Sequence, residues 1–232
     1  MTDPLFMLSL AMIVFLAIHI IPSSYLRVAI VSKIGTGAYL GLFSLLSIAA
    51  FAWVIYAYIQ TPFGAPIWDA GNAGLYLGTV LMPIAFILFV SAYTSPNPTT
   101  LGGDKLIDRE FAYSGINAIT RHPLMWAIIL WSIVHVVNNS DSTSLIFFGG
   151  FGVLALAGTF LIDAKKAQQL AEGWDRYATR TSNIPFLALI QGRATFSFKP
   201  LWWRILLGLF VFAAVFHFHS SLFGVSPVPM SN

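Results

Sequence analysis

Five histidines stand out in this chain because each lies within or at the end of an apolar run. They are His19, His122, His135, His217 and His219. Neutral imidazole is a good ligand for iron, and membrane haem proteins commonly hold the metal through histidines on facing helices. The competing interpretation is a histidine that only hydrogen-bonds to a neighbouring helix. Cysteine is absent, which excludes disulfides, thiolate catalysis and cysteine-ligated zinc or iron–sulfur centres.

The sequence Arg121–His122–Pro123 opens one of these apolar runs. Proline is tolerated in the first turn of a helix, since the N–H that it lacks would be unpaired there. An ionisable group close to lipid is costly unless the protein uses or satisfies it. Arg121 could therefore hold a carboxylate, a haem propionate or a phosphate by charge-assisted hydrogen bonds. The alternative is an interfacial arginine that only marks the cytoplasmic end of the helix.

The composition is that of a membrane protein. The 232 residues are 57% hydrophobic and 9% charged, with a mean hydropathy of +0.79, whereas a soluble domain carries about 25% charge. The net charge of +3 does not indicate nucleic-acid binding, because the positive charges fall in short loops between apolar segments. The N-terminal run is not predicted to be a cleaved signal peptide, since no Lys or Arg precedes it.

Six membrane-spanning helices are predicted in one all-α domain covering 1–232, because several runs approach the ~20 apolar residues that cross a bilayer. The predicted spans are 4–23, 37–59, 74–95, 121–138, 143–162 and 201–223. A separate amphipathic helix in the cytoplasm is predicted from residue 163, since apolar residues recur with helical spacing between Ala167 and Ala178. It would lie on the membrane surface or cap the bundle.

The positive charges predict how the chain is oriented. All 12 Lys and Arg residues lie in or beside three loops, which follow the first, third and fifth spans. The positive-inside rule therefore places these loops in the cytoplasm and both termini on the non-cytoplasmic side.

This topology also assigns depths to the histidines. His19 ends the first span and His122 begins the fourth, so both are expected near the cytoplasmic face. His135 is 13 residues beyond His122, or ~20 Å along a helix, and His217 and His219 share its depth. Depth alone pairs His19 with His122, and His135 with His217 or His219.

Several motifs resemble those of the NnrU family of membrane proteins, which also includes plant zeta-carotene isomerases. The most specific is ITRHPLMWAIILWSIVHVVNNSDSTSLIFFG at 119–149. The others are HIIPSSYLR at 19–27, GAYLGLFSLLS at 37–47, Asp163, Trp174, TSNIPF at 181–186 and GR at 192–193. Together they cover most of the chain.

The resemblance implies haem b held by two axial histidines, which correspond by motif to His19 and His135. This conflicts with the depth argument, which makes His122 the rival ligand of His19. In the haem interpretation, Arg121 and Arg27 would anchor the propionates. The isomerase has a cysteine just before its second ligand, and this chain has none.

The resemblance also implies two activities. Bacterial members are linked to denitrification and nitric oxide metabolism, and the isomerase acts on a cis double bond of a carotenoid precursor. We therefore expect a multi-pass protein of the bacterial inner membrane. Its expected partners are membrane lipids and either nitric oxide or a lipophilic polyene, and it is also compatible with a homo-oligomer.

Two other functions are compatible with the sequence. The RHP motif and the tail that follows also resemble membrane methyltransferases that modify isoprenylcysteine and phospholipids. There Arg121, His122 and Glu172 or Asp175 would shape a pocket for S-adenosylmethionine. The other is a non-enzymatic accessory subunit, in which the glycines of 149–152 would serve helix contact.

Overall fold

The computed structural model describes residues 3–21, 26–100 and 102–229, without the side chains of 26–28. All regular structure in this part of the chain is helical. The longer helices are α1 (Pro4–Ile20), α2 (Leu26–Ile34), α3 (Thr36–Gln60), α4 (Gly71–Thr94), α6 (Pro123–Asn138), α7 (Ser142–Leu170), α8 (Glu172–Arg180) and α10 (Trp202–Phe223). Single turns form α5 (Ile116–Ile119), α9 (Leu187–Ile190) and two 3₁₀ segments, Gly103–Leu106 and Glu110–Tyr113.

Each of the six predicted spans corresponds to one helix. Four of them, α3, α4, α7 and α10, are long and apolar enough to cross a membrane, with 22 to 29 residues each. The apolar helices α1 and α6 are shorter, at 17 and 16 residues. The all-helical membrane fold is therefore confirmed with four candidate spans, and the count of six stays a prediction.

The structure differs from the sequence prediction around residue 163. The fifth span was expected to end at 162, but α7 continues to Leu170 and the chain turns only at Ala171, whose φ is +42°. The predicted amphipathic helix is thereby divided between the end of α7 and the short helix α8. Trp174 and Tyr177 of α8 are buried against Ile107 and Tyr113, so α8 packs across the end of the bundle.

Buried apolar side chains and glycines at close contacts hold the long helices together. Leu8 of α1, Val54 of α3 and Phe147 of α7 belong to one buried cluster. Of the three glycines predicted to serve helix contact, two do so within the chain: Gly150 lies against Met12 of α1, and Gly152 lies against α6, whereas a Cβ at Gly149 would have nothing within 4 Å. α10 packs on α4, where a Cβ at Gly208 would lie 2.7 Å from the Cα of Ile87.

The helices connect two ends of the bundle. At one end, the Thr61 hydroxyl donates to the carbonyl of Pro4 (3.1 Å), and the Thr143 hydroxyl donates to that of Pro62 (2.8 Å). We call this the loop end. At the other, α4 ends, α6 and α10 begin, and the guanidinium of Arg204 donates to the carbonyl of Thr94 at 2.6 Å. We call this the cluster end.

Candidate functional site

Arg121, His122 and Asp163 form a buried ionic cluster at the cluster end. The Arg121 guanidinium donates through Nε to Asp163 Oδ1 (3.0 Å) and through Nη2 to Oδ2 (2.5 Å). His122 Nε2 lies 2.6 Å from Asp163 Oδ1. The exposed fractions of the side chains are 13% for Arg121, 20% for Asp163 and 1% for His122. We call these three residues the Arg–His–Asp cluster.

Two motifs of the family resemblance, ITRHP and TSNIPF, pair with each other to build this cluster. Their hydrogen bonds run from Arg121 N–H to Ser182 O (2.9 Å), from Thr120 Oγ1 to Asn183 O (2.7 Å) and from Phe186 N–H to Ile119 O (2.8 Å). Trp126 Nε1 also donates to Asn183 O, at 2.8 Å. The pairing fixes the backbone on both sides of Arg121, so the guanidinium is directed to Asp163 on α7.

The hydrogen bonds indicate the charge states within the cluster. The doubly bonded guanidinium of Arg121 stabilises the ionised form of Asp163. His122 then donates from Nε2 to that carboxylate. Its Nδ1 is buried and has no hydrogen-bond partner among the described residues, so protonating that atom would leave an N–H unsatisfied. His122 is therefore a neutral imidazole that the Asp163 carboxylate holds in one orientation.

Tyr177 of α8 is a second buried polar group beside the cluster. It is fully buried, interacts electrostatically with Arg121 and Asp163, and its hydroxyl has no partner among the described residues. Burial raises the pKa of this hydroxyl above its ordinary value, so it is a neutral phenol. The Arg121 guanidinium also lies 5.6 Å from the ring centre of Trp174. Trp174 and Tyr177 of α8 thus cover part of the cluster with aromatic surface.

A second ionic contact lies one turn further along α7. The ammonium of Lys166, which is 3% exposed, donates to the Asp104 carboxylate and to the carbonyl of Thr100. The Asn97 amide and the Thr99 hydroxyl both donate to the carbonyl of Arg121. Sequence reasoning identified neither Lys166 nor the partner of Arg121. The available signal was Asp163, which belongs to the resemblance with the NnrU family.

His19 and His135 lie away from the Arg–His–Asp cluster, in apolar surroundings. His19 Nδ1 is 2.7 Å from the carbonyl of Phe15, and His135 Nδ1 is 2.8 Å from that of Trp131. The ring of His135 also stacks on Phe148, with centroids 4.6 Å apart. A backbone acceptor on Nδ1 holds the proton there and directs the lone pair to Nε2, the usual pattern for a metal-ligating histidine. The Nε2 atoms of the two rings are therefore suitable ligands for a haem iron.

Contacts with α7 give the relative levels of these two histidines. Phe15 packs on Phe151 (5.4 Å between centroids), and His19 is one turn beyond Phe15 on α1, which runs parallel to α7. His135 packs on Phe148 instead, so the two Cα positions differ by ~10 Å along the axis. Helical side chains lean toward the N-terminus, and because α1 and α6 are antiparallel, these rings lean toward each other. That His19 and His135 share one ligand stays a prediction.

The other predicted site residues are placed differently. His122 uses Nε2 for Asp163, which leaves only its buried Nδ1 for a ligand. His219 donates from Nδ1 to the carbonyl of Val225 (2.8 Å). The pairing of His135 with His217 or His219 stays a prediction. Arg27 falls in α2, and its side chain lies outside the described part of the structure.

The acidic residues required by the methyltransferase interpretation do not join the cluster. Glu172 and Asp175 lie on the exposed face of α8, whereas Trp174 and Tyr177 of the same helix face the cluster. The structure therefore gives no support to a pocket built from these carboxylates together with Arg121 and His122.

The fold and the site define an all-helical membrane protein in which separate motifs converge on one end of the bundle. The family model described as NnrU protein matches residues 7–227. The chain therefore belongs to the NnrU family. No solved structure matches it.

Two curated relatives share part of this chain. It is 28% identical over 169 residues to the chloroplastic 15-cis-zeta-carotene isomerase of Arabidopsis thaliana. It is 27% identical over 165 residues to the chloroplastic 15-cis-zeta-carotene isomerase of Zea mays. Each match covers 69% of this chain and 44% of the relative, so the chain aligns with less than half the length of these isomerases.

Proposed function

We propose that this protein isomerises a cis double bond of a lipophilic polyene within the membrane. The observation that carries the proposal is the similarity to 15-cis-zeta-carotene isomerases over 69% of the chain. The apolar surfaces of α3, α4, α7 and α10 are consistent with it, because a substrate dissolved in lipid would reach the protein laterally.

We propose haem b as the cofactor and His19 and His135 as the residues that would hold its iron. When bound, a haem iron supplies a Lewis acid whose strength depends on its redox state. The backbone carbonyls of Phe15 and Trp131 would orient the two imidazoles and increase the basicity of Nε2. The aromatic side chains packed around the rings, Phe43, Phe148 and Trp131, would exclude water.

The Arg–His–Asp cluster has a different role in this proposal. Arg121 commits Nε and one N–H of Nη2 to Asp163, and its Nη1 lies 3.4 Å from the carbonyl of Thr181, so few of its N–H groups remain to contact a propionate. The cluster joins α6, α7 and the segment 181–186 at the cluster end. It therefore holds α6, and with it His135, in a fixed position relative to α7.

Absorption spectra of the detergent-purified protein test the cofactor. We expect a Soret band and split visible bands of low-spin iron with two histidine ligands, lost or shifted in His19→Ala and in His135→Ala. His217→Ala is the matched control, because His217 is an exposed histidine near the end of α10. An unchanged spectrum in both ligand variants would exclude this pair, and the absence of haem from the wild-type protein would exclude the cofactor.

Conversion of 15-cis-zeta-carotene, the substrate named for the plant relatives, tests the reaction. We expect the reconstituted protein to convert it to another isomer of equal mass, separable by chromatography, and His135→Ala to be inactive. No conversion by a spectrally intact protein would contradict the isomerase proposal and leave the haem assignment standing.

A titration of the same protein with nitric oxide tests the other expected ligand, since binding of nitric oxide to haem iron would shift the Soret band.

A further inference from the structure

The chain between α8 and α10, together with the first two residues of α10, exposes large apolar side chains. We infer that residues 184–203, which we call the interfacial segment, lie in the membrane–water interface among lipid headgroups and upper acyl chains. Its exposed apolar residues are Ile184, Phe186, Ile190, Phe196, Phe198, Trp202 and Trp203. Ile190 is 80% exposed and Phe198 is 59% exposed, so the bundle itself covers little of either side chain.

The chemistry of the interfacial segment fits lipid headgroups. Between 184 and 203 there is no Asp or Glu, whereas Arg193 and Lys199 are both exposed. Phenylalanine and tryptophan with interspersed cations are typical of segments that lie at a bilayer surface, where the cations interact with anionic lipids. The exposed face of the preceding helix α8 is instead charged and includes acidic residues, since Glu172, Asp175 and Arg176 lie there.

At its two ends, the backbone of the segment is also suited to a low-dielectric environment. Ile190 N–H donates to Phe186 O (2.9 Å), and Arg193 N–H donates to Ala188 O (2.9 Å). Further along, Leu201 N–H donates to Phe198 O at 2.8 Å. Backbone groups that lose water must find partners within the protein. These turns provide partners locally, whereas an extended loop would leave its amides dependent on water.

The position of the segment relative to the rest of the molecule supports the same inference. Its last residues begin α10, a helix long and apolar enough to cross a membrane, so its C-terminal end must be close to a bilayer surface. Ala188 and Leu201 are buried and hold the segment against the bundle. The exposed side chains between them would therefore meet the membrane at the level where α10 enters it.

Because the chain contains no cysteine, single-cysteine variants can report the environment of each position. Ile190→Cys and Phe198→Cys would carry a nitroxide label in the segment, and Asp175→Cys would carry it on the exposed face of α8. The full-length protein is placed in vesicles of phosphatidylethanolamine and phosphatidylglycerol. Collisions with oxygen, which concentrates in lipid, are compared with collisions with a water-soluble nickel chelate.

We expect the oxygen-to-nickel collision ratio at 190 and 198 to exceed that at 175 several-fold. Equal ratios at the three positions would overturn the inference, since the segment would then lie in water. Protection from both reagents, with spin–spin broadening that disappears on dilution with unlabelled protein, would also overturn it, because a second copy would then cover the segment. Thermal unfolding of each variant verifies that it is folded. Because all three positions are exposed, we expect the substitutions to change stability little.

This inference does not depend on the proposed isomerase activity. A protein without haem or activity would still give the expected collision ratios if the segment lies in the interface. If the protein is an isomerase and the segment also lies in the interface, lipid would lie close to the ITRHP motif. Phe186 at the start of the segment donates its N–H to the carbonyl of Ile119 in that motif.

Discussion

Asp163 forms the central contact of the buried charges in the described structure. Its carboxylate neutralises Arg121 and accepts a hydrogen bond from His122, and all three side chains are at least four-fifths buried. Asp163→Asn would leave the Arg121 charge without a counterion, so we expect it to lower the free energy of unfolding by about 3 kcal/mol. Chemical denaturation in detergent would measure the change.

The matched control is the ion pair between Arg176 and Asp108, whose side chains are 57% and 68% exposed. Exposed ion pairs contribute little to stability because water and salt screen them. Arg176→Gln should therefore leave the unfolding midpoint unchanged. A similar loss in both variants would mean that burial of the Arg–His–Asp cluster is not what makes Asp163 important.

The Tyr177 hydroxyl is buried without a partner among the described residues, which is an unfavourable arrangement for a polar group. Tyr177→Phe removes the hydroxyl and keeps the ring, so we expect it to stabilise the protein by about 1 kcal/mol. Destabilisation would instead indicate that the hydroxyl binds a water molecule or ligand that contributes to the fold. Denaturation of the two proteins side by side at neutral pH distinguishes these outcomes.

The same hydroxyl predicts a dependence on alkaline pH. Burial raises the pKa of Tyr177, so above about pH 10 the unfolded chain loses this proton while the folded protein retains it. Ionisation of Tyr177 therefore costs no stability below about pH 10, and it lowers the free energy of unfolding progressively as the pH rises from there toward the folded-state pKa. Between about pH 8 and about pH 11, the midpoint temperature of thermal unfolding should fall more steeply for the wild type than for Tyr177→Phe. Parallel curves would contradict the assignment.

At the scale of helices, the length of the apolar runs predicted where the long helices lie, because an apolar stretch of spanning length has few alternatives to a helix in lipid. The same reasoning ended the fifth span at 162, because charged residues follow it. In the structure α7 continues, because Asp163 and Lys166 find partners on Arg121, His122 and Asp104. Those partners are 41 to 62 residues away in sequence, so local patterns could not reveal them.

The site shows the same limit. Arg121 and His122 could be selected from the sequence because an RHP motif opening an apolar helix is chemically unusual. Their pairing with Asp163 and with 181–186 is a tertiary contact, so the sequence alone offered a carboxylate, a propionate and a phosphate as equal partners for Arg121. The levels of His19 and His135 likewise depend on how α1 and α6 pack on α7.

The close approach of α10 to α4 requires a glycine at position 208. A Cβ at Gly208 would lie 2.7 Å from the Cα of Ile87 and 3.0 Å from its backbone nitrogen, and backbone atoms cannot move aside. We expect Gly208→Ala to separate the two helices and cost about 1–3 kcal/mol. Gly149→Ala is the control, because that glycine is also helical and a Cβ added there would have nothing within 4 Å. Its substitution should be neutral or stabilising by up to about 1 kcal/mol.

At the scale of the whole molecule, the path of the chain favours six crossings over four. α4 ends at the cluster end, whereas α7 begins at the loop end, where Thr143 bonds to Pro62. The chain must therefore return between them, and α6 is the helix that does so. α1 likewise begins at the loop end beside Thr61 and runs parallel to α7. At 1.5 Å per residue, α1 and α6 extend about 25 Å, slightly less than a bilayer core.

Single-cysteine labelling in intact bacterial cells tests the orientation predicted from the positive charges and the crossings made by α4 and α10. Exposed positions suited to cysteine are Ala65 at the loop end, Val228 beyond α10, and Lys105 and Glu172 at the cluster end. A membrane-impermeant maleimide should label Ala65→Cys and Val228→Cys from outside, and the other two only after permeabilisation. The reverse pattern would keep the crossings of α4 and α10 and invert the protein, because all four positions would exchange sides together. Labelling of Ala65→Cys and Lys105→Cys from the same side would be inconsistent with a crossing by α4 and would contradict the topology.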